Sequence, residues 1–328
     1  MSTNNTYVVW WTTETYLSSG LRAVQGALLV VTNLLLLITL LYHRSLRRRK
    51  EYIVIIGVAL ADFLFGTGVI RGSTYNLYRY YTGQALYPST RHHCFLTYHA
   101  FMYTFGMSAQ GFMLVSQAID RLLAIGLPVF YFKLKPNYAW LMVTVPFGLV
   151  LIQSVVLALG SWNDSTLTGR TFTNCIPKNA LHPVMFQVWN GAHTACGYVS
   201  VLMFGGVMVL YKRHMDNKVA GMESQQRALH MTKQRKITLS MAISCFFTMA
   251  FFVAPRMVNQ LFMAKAKAVK LGNLIAFNLY AVNPMLNLFI YVKRHREVRV
   301  GLVNAVKQEQ LPFDLQSVTT GKALTAKK

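Results

Sequence analysis

The chain has 328 residues, of which 54% are hydrophobic and only 13% are charged. The charged share is about half that of a soluble domain, which excludes an ordinary soluble enzyme and indicates a membrane protein. The net charge of +23 at pH 7 could indicate nucleic-acid binding. The basic residues, however, lie in short clusters beside apolar stretches, and that distribution argues against a nucleic-acid partner.

Seven stretches are apolar and long enough to cross a hydrocarbon core of about 30 Å, which takes roughly 20 helical residues. Backbone polar groups in lipid must be satisfied within the span, and the alternation of barrel strands is absent, so each stretch is predicted to be a helix. In chain order they lie at about 22–42, 52–73, 95–124, 138–160, 185–211, 237–263 and 271–292. The sequence therefore predicts one domain, an all-α bundle of seven transmembrane helices over residues 21–305, between an extracellular segment 1–20 and a cytoplasmic tail 306–328.

The positions of Lys and Arg predict how this bundle is oriented. With the amino terminus outside, 23 of the 33 Lys and Arg residues fall on the inner side, chiefly in the first and third inner loops and the tail. Short loops rich in Lys and Arg stay in the cytoplasm. We therefore expect a multi-pass plasma-membrane protein with an extracellular amino terminus and a cytoplasmic tail. The first 16 residues lack the features of a cleavable signal peptide, so the first span is expected to act as the targeting signal.

Two sequons and two cysteines fall on the predicted outer side. Asn4 in NNT and Asn163 in NDS are acceptors for glycosylation. Cys94 stands at the outer start of the third span and Cys175 in the second outer loop, so both face an oxidising space in which they can pair. The two remaining cysteines lie inside spans and are expected to be buried apolar residues.

The inner end of the third span carries the most specific pattern in the chain. Adjacent Asp120 and Arg121 are followed by Pro128 and Tyr131 in the stretch DRLLAIGLPVFY. Other spans contribute further polar and proline positions: Asn33 in VVTNLLLL, Asp62 in LALADFLFG, Pro255, and NPMLNLFIY, which contains Asn287 and Tyr291 and precedes VKRHREVR.

Together these patterns resemble the rhodopsin-like (class A) G protein-coupled receptors over about residues 20–305, and LALADF with DRLLAI most resembles the nematode serpentine chemoreceptors. The resemblance implies a seven-helix receptor with a short cytoplasmic amphipathic helix after the seventh span. It also implies a disulfide between Cys94 and Cys175 and a heterotrimeric G protein as partner. The residues it assigns to coupling and activation are Asp120, Arg121, Pro128, Tyr131, Asn287 and Tyr291.

The resemblance implies that Asp120 holds Arg121 in the resting state and that Arg121 turns towards the G protein on activation. Such a two-state element, biased from both sides of the membrane, is what allosteric coupling requires. The alternative is an interfacial ion pair that only fixes the depth of the span. The Pro128 and Tyr131 spacing favours the first interpretation.

A polar pocket is expected around Asp62, because an acid in the middle of a span is costly unless it has partners or water. The resemblance places Asn33, Asn283 and Asn287 beside it, with Gln110 or Ser108 as further neighbours, and adds a hydrated allosteric sodium ion. The alternative is a protonated Asp62 hydrogen-bonded to the neighbouring amides. No other cofactor is expected.

Several positions depart from the family pattern. The third residue of the Asp-Arg-Tyr triplet is Leu122, the seventh-helix proline is replaced by Leu288, and Val253 stands at the position of the sixth-helix tryptophan. The fifth span contains no proline. These departures bear on the switching mechanism of the family and leave the predicted fold unchanged.

The ligand is inferred from what the outer half contains. Tyr103 stands where amine receptors have an aspartate, and Ala281 where opsins have the retinal-binding lysine, so neither class is favoured. The outer side carries ten Lys or Arg residues against Glu14 and Asp164. We therefore expect a ligand with negative charge, bound by Tyr103, Arg256, Gln260 and Phe277. The alternative is that Arg256 snorkels outward and binds nothing.

The sequence thus predicts a receptor that binds an extracellular small molecule or peptide, with a chemosensory role, activates a heterotrimeric G protein and is not an enzyme. Ser317, Thr319 and Thr320 in the tail form a patch that arrestin could read once phosphorylated. The alternatives are a neuropeptide or hormone receptor of the same fold and a seven-helix ligand-gated channel, which would need a charged pathway that the spans do not offer. His193 and Cys196 lie three residues apart, but two residues do not complete a metal site.

Overall fold

The computed structural model describes residues 4–84, 88–162, 170–172, 175, 177–219, 246–254, 278–282, 284–286, 288–293 and 296–306. Five long helices form most of this part: α1 Asn4–Tyr42, α3 Lys50–Tyr81, α5 Tyr98–Gly126, α7 Pro136–Trp162 and α9 Pro183–Val219. They coincide with the first five predicted spans.

Hydropathy separates these long helices into two groups. Four contain a stretch long and apolar enough to cross a membrane: Tyr16–Tyr42, Lys50–Tyr81, Pro136–Trp162 and Pro183–Arg213. The remaining long helix, α5, has 29 residues and is therefore roughly 44 Å long, which is also enough to cross the hydrocarbon core.

The predicted sixth and seventh spans are described only in part. The sixth contributes a π-helical turn, Thr248–Val253, and the seventh contributes helical residues at 278–282, 284–286 and 288–293. Short elements join the long helices: α2 Arg44–Arg47, β1 Pro88–Thr90, α4 Arg91–Leu96, α6 Pro128–Lys133, β2 Arg170–Phe172 and α8 Pro177–Ala180. A final helix, α10 Arg296–Val306, follows the seventh span.

The short elements lie at two ends of the bundle, which we name by their chemistry. The strands β1 and β2 pair antiparallel, with Ser89 opposite Thr171, and lie with α4 and α8 at the disulfide end. The α1–α3 and α5–α7 connections lie at the opposite end, with the Asp120–Arg121 pair, and this is the Asp-Arg end. The chain passes from one end to the other with each long helix.

Prolines set the break between α5 and α7. Pro128 is the first residue of α6, and a proline disfavours the helical conformation in the residue before it. Leu127 accordingly has φ −129° and ψ 61°, and α5 ends at Gly126. The chain turns there and continues in α6, so Tyr131 is brought back towards the end of α5.

Small residues let α3 lie against its neighbours with their backbones in contact. A Cβ atom on Gly68 would collide with the backbone of Tyr103 in α5, and one on Gly106 would collide with the backbone of Phe65 in α3. A Cβ on Gly26 of α1 would lie 2.6 Å from the Ile70 nitrogen. Close approach of this kind is the usual packing of membrane helices, where small residues replace a hydrophobic driving force.

The junction of α1 with α10 is polar and buried. His43, 1% exposed, follows the last residue of α1. Its Nε2 donates to the carbonyl oxygen of Gly301 in α10 at 2.8 Å. A Cβ on Gly301 would lie 3.0 Å from the His43 ring, so glycine provides the space for this contact. The short helix after the seventh span is therefore joined to the end of the first.

Candidate functional site

At the disulfide end, Cys94 of α4 is bonded to Cys175, which follows β2 in the chain. Their Cα atoms are 4.9 Å apart, and both residues are buried. The bond ties the segment before α5 to the connection between α7 and α9, and the short β1–β2 pairing lies in the same two connections. The disulfide expected from the resemblance is present. Asn163 lies outside the described residues, and Asn4 is the first residue of α1, so glycosylation at both stays a prediction.

At the Asp-Arg end, Asp120 is the centre of a buried polar cluster. The residue is 0% exposed, and its Oδ2 lies 3.2 Å from Nη2 of Arg121. The hydroxyl of Tyr131 donates to the other carboxylate oxygen, Oδ1, at 3.1 Å. Arg121 retains 20% exposure of its side chain. One oxygen of the buried carboxylate is thus hydrogen-bonded, and the other is ion-paired with the arginine without a hydrogen bond among the described residues.

The contact between Tyr131 and Asp120 explains the spacing of the motif. The turn at Pro128 reverses the chain, and the first turn of α6 then places Tyr131 over the last turns of α5. Burial, with a further contribution from the Asp120 carboxylate, raises the pKa of the Tyr131 hydroxyl above its ordinary value. The hydroxyl therefore stays protonated and serves as a donor throughout the physiological pH range.

Lys50 is a member of this cluster that sequence reasoning missed. Its Nζ donates to the carbonyl oxygen of Tyr131 at 2.8 Å and lies 5.0 Å from the centre of the Tyr131 ring. In the sequence Lys50 is one of five basic residues in the predicted first inner loop, and nothing in that run distinguishes it. Its position as the first residue of α3 brings it beside α6.

The end of the seventh span meets α5 in the same region. The side-chain amide of Gln117 donates to the hydroxyl of Tyr291 at 3.5 Å, and Tyr291 is 7% exposed. Gln117 precedes Asp120 by three residues, so the two lie on the same face of α5. Asn287, assigned to the same activation region, lies outside the described residues.

A second polar group lies in the middle of the bundle. Asp62 of α3 is 4% exposed, and its Oδ1 accepts from Nε2 of Gln110 in α5 at 2.7 Å. The carboxamide oxygen of Gln110 accepts from the hydroxyl of Tyr280 in the seventh span. The Tyr280 hydroxyl also lies 3.4 Å from Nε2 of His193 in α9. Four helices are therefore joined by one line of buried polar side chains.

Two of the predicted pocket residues make other bonds. The Nδ2 of Asn33, which is 0% exposed, donates to the Leu29 carbonyl of its own helix at 3.0 Å. Ser108 accepts from the indole N–H of Trp189 at 2.9 Å. Of the two expected neighbours, Gln110 is the one that the structure shows bonded to Asp62. Asn283 lies outside the described residues, as does Asn287.

The predicted ligand contacts are described for one residue only. The ring of Tyr103 lies 5.3 Å from that of Phe65, and Phe65 in turn lies 5.3 Å from Tyr280, edge to face. These three rings form an aromatic layer on the disulfide-end side of Gln110. The other predicted ligand contacts lie outside the described residues: Arg256, Gln260 and Phe277.

His193 belongs to the polar line that runs from Asp62 through Gln110 and Tyr280. In the described part of the chain, no three His, Cys, Asp or Glu residues lie close enough to hold a metal ion. His193 and Cys196 face Gly111 of α5, where a Cβ would lie 2.9 Å from the His193 ring. The glycine is what allows α9 to approach α5 at this level.

Comparison with known families identifies the architecture. The model of the serpentine type 7TM GPCR chemoreceptor Srsx matches residues 27–305, which include the second part of α1, the four other long helices and nearly all of α10. No individually curated protein matches the sequence. The match confirms the predicted all-α fold of seven transmembrane helices and the resemblance to serpentine chemoreceptors, and the family is non-enzymatic. An extracellular ligand, G protein coupling and a membrane environment are properties of the family, and this chain is a member of the serpentine 7TM GPCR chemoreceptor Srsx family.

Proposed function

We propose that this chemoreceptor activates a heterotrimeric G protein through its Asp-Arg end when a ligand binds at its disulfide end. The observation that carries the proposal is the clasp of Asp120, whose two oxygens are held by Arg121 and Tyr131. A clasp of this kind stabilises one arrangement of the helix ends. A ligand and a G protein that both favour the open arrangement would then be coupled through it.

The accessibility of Arg121 supports its role as the residue that meets the G protein. A carboxylate that is 0% exposed holds the arginine from one side, while 20% of the arginine side chain remains exposed. An opening of the helix ends that separates the pair would leave the guanidinium with five unused donors, which suit backbone carbonyls or a terminal carboxylate of a partner.

The surface of α6 supports a protein partner on this end. Val129 is 71% exposed and Phe130 is 54% exposed, next to a segment rich in Lys and Arg. Burying such side chains on a partner contributes about 1.5–3 kcal/mol each. An apolar pair beside an accessible arginine fits a groove on a G protein with an apolar centre and an acidic or carbonyl-rich rim.

The orientation that this function needs places the Asp-Arg end in the cytoplasm and the amino terminus outside, in the plasma membrane. The distribution of Lys and Arg supports it, and so does the disulfide, which forms in an oxidising compartment. The domain limits 1–20, 21–305 and 306–328 belong to the same proposal. α1 begins at Asn4, so residues 4–20 of the proposed extracellular segment are helical.

For the ligand we propose an anionic chemosensory molecule held by Arg256, with Tyr103, Gln260 and Phe277 around it. The excess of basic residues on the predicted outer side supports this charge, and the rings of Tyr103 and Phe65 supply an apolar wall. Arrestin is the proposed second partner, reading Ser317, Thr319 and Thr320.

The proposed function is tested by measuring G protein activation in cells against small carboxylates, short peptides and neutral odorants. A carboxylate response in the wild type that is lost in surface-expressed Arg121→Ala and retained in Arg47→Ala, a basic residue of α2 at the same end, is the expected result. A membrane current that survives Arg121→Ala would contradict it in favour of a channel. Antibody access to a tail epitope on intact cells would contradict the orientation.

A further inference from the structure

The buried acid of α3 accepts a hydrogen bond from an amide of this chain, in the pocket where the family resemblance places a sodium ion. Asp62 and Gln110 are 4% and 6% exposed, and Gln110 Nε2 lies 2.7 Å from Asp62 Oδ1. A hard cation takes several oxygen ligands at once. Whether the described residues fit such an ion depends on which atoms they turn towards the acid.

The carboxamide of Gln110 offers the wrong atom to a cation. Its N–H points at Asp62, and its oxygen, the atom that could bind an ion, accepts from the Tyr280 hydroxyl. A hydrogen bond to a carboxylate is about twice as strong as one between neutral groups. The hydroxyl bonded behind the amide strengthens it further, because bonds in a chain polarise one another.

The other described candidates do not complete an oxygen cage. Ser108 is bonded to the Trp189 indole, and Asn33 donates its amide to Leu29. The carbonyl oxygen of Asn33 has no partner among the described residues. Among the described residues expected around Asp62, the Asn33 carbonyl oxygen is the one without a hydrogen-bond partner, so these residues do not by themselves supply the several oxygen ligands that a cation takes.

The line continues beyond the acid to a second helix pair. Tyr280 of the seventh span joins Gln110, and His193 of α9 lies within 3.4 Å of the Tyr280 hydroxyl. His193 is 3% exposed and Tyr280 is 6% exposed. A cation at Asp62 would contact only the groups around the acid. The Gln110 amide instead links Asp62, through Tyr280 and His193, to the seventh span and to α9. In a buried environment the loss of any one of these bonds is costly, because it leaves a polar group without that partner.

We propose that Gln110 replaces the sodium ion as the partner of Asp62. The hydrogen-bonded line Asp62–Gln110–Tyr280–His193 then holds four spans in their resting packing, and this packing does not depend on the sodium concentration. Gln110 is then a positioning residue, since it touches neither ligand nor G protein. The signalling consequence rests on the receptor function proposed above. The consequence for the stability of the folded protein does not.

The first test needs no ligand and no G protein. The unfolding midpoint of the full-length purified receptor is measured in NaCl, KCl and choline chloride at equal ionic strength. The expected midpoints agree within about 1 °C, because a ligand absent from the folded state adds no stability. A saturable rise of more than about 2 °C in NaCl alone would mean that a sodium ion binds, and would overturn the inference.

A matched pair of variants tests the amide itself. Gln110→Ala is expected to lower the midpoint by several degrees, since it leaves two buried groups without these bonds. The control is Gln153→Ala in α7, whose carboxamide oxygen has no partner among the described residues, and little change is expected there. Equal midpoints for the two variants would overturn the inference. If Gln110→Ala does not fold, the comparison of salts on the wild type still decides.

The signalling test uses basal nucleotide exchange in membranes that contain the receptor. Replacing NaCl by N-methylglucamine chloride is expected to leave receptor-dependent exchange unchanged, whereas a two-fold or larger rise would count against the inference. Complete absence of receptor-dependent exchange would count against the proposed G protein coupling, and the unfolding measurements would still stand. The two failures are thereby distinguished.

Discussion

Removal of one hydroxyl from the Asp120 clasp should release the receptor towards its active state. In Tyr131→Phe the ring keeps its place, and the hydrogen bond to Asp120 Oδ1, 3.1 Å long, is lost. Hydrogen bonds to charged groups contribute about 1.5–3 kcal/mol. We take the lower value because the bond is long and Arg121 still pairs with the other carboxylate oxygen.

A loss of about 1.5 kcal/mol from the resting state alone raises the active-to-resting ratio about ten-fold. Basal G protein activation, normalised to receptor at the cell surface, should therefore rise by up to that factor while the resting state still predominates. Tyr138→Phe is the control, because the Tyr138 ring lies 6.2 Å from that of Tyr131 and its hydroxyl has no partner among the described residues. Equal basal activity in the two variants, or a fall in Tyr131→Phe, would refute the clasp.

Three further outcomes are expected from the same structure. Lys50→Met removes the ammonium group that contacts Tyr131, and it should raise basal G protein activation about three-fold. Lys133→Met, which changes an exposed residue of α6, should not raise it in the same assay. The raised pKa of Tyr131 means that its bond is present below the ordinary tyrosine pKa of about 10 and is lost only as pH rises beyond it. The ratio of Tyr131→Phe to wild-type basal exchange should thus be constant from about pH 6 to 9, and a steady decline across that range would contradict the assignment. Gly106→Ala places a Cβ against the backbone of α3 and should lower stability by about 1–3 kcal/mol. Gly148→Ala, with open space around it, should leave the unfolding midpoint unchanged or raise it slightly, because alanine favours the helix.

The spans could be predicted from the sequence because the hydrocarbon core selects apolar residues directly. Their helical ends could not. The second predicted span ends near residue 73, whereas α3 continues to Tyr81, and the fifth ends near 211, whereas α9 continues to Val219. Hydropathy reports where a helix leaves the lipid, and a helix ends only where its backbone bonds are interrupted or capped. Residues 74–81 and 212–219 contain no proline that would interrupt these helices.

The candidate site divides in a similar way between local and distant contacts. The Asp120–Arg121 ion pair and the contact of Tyr131 with Asp120 join residues close in the sequence. Pro128, which lies between Arg121 and Tyr131, allows the turn to be predicted. The bonds of Gln110 to Asp62 and Tyr280 join residues 48 and 170 positions apart. They depend on how each helix is rotated about its axis, which apolar composition does not specify when a helix is buried on several sides.

The most direct test of the receptor mechanism is GDP–GTP exchange on a purified heterotrimeric G protein by full-length receptor in lipid nanodiscs. Wild type, Arg121→Ala and Tyr131→Phe are compared at equal receptor concentration, with no ligand added. The mechanism predicts measurable exchange by the wild type, about ten-fold faster exchange by Tyr131→Phe, and none above the G protein's own rate for Arg121→Ala. Exchange by Arg121→Ala at the wild-type rate would contradict the central role of the Asp120–Arg121 pair.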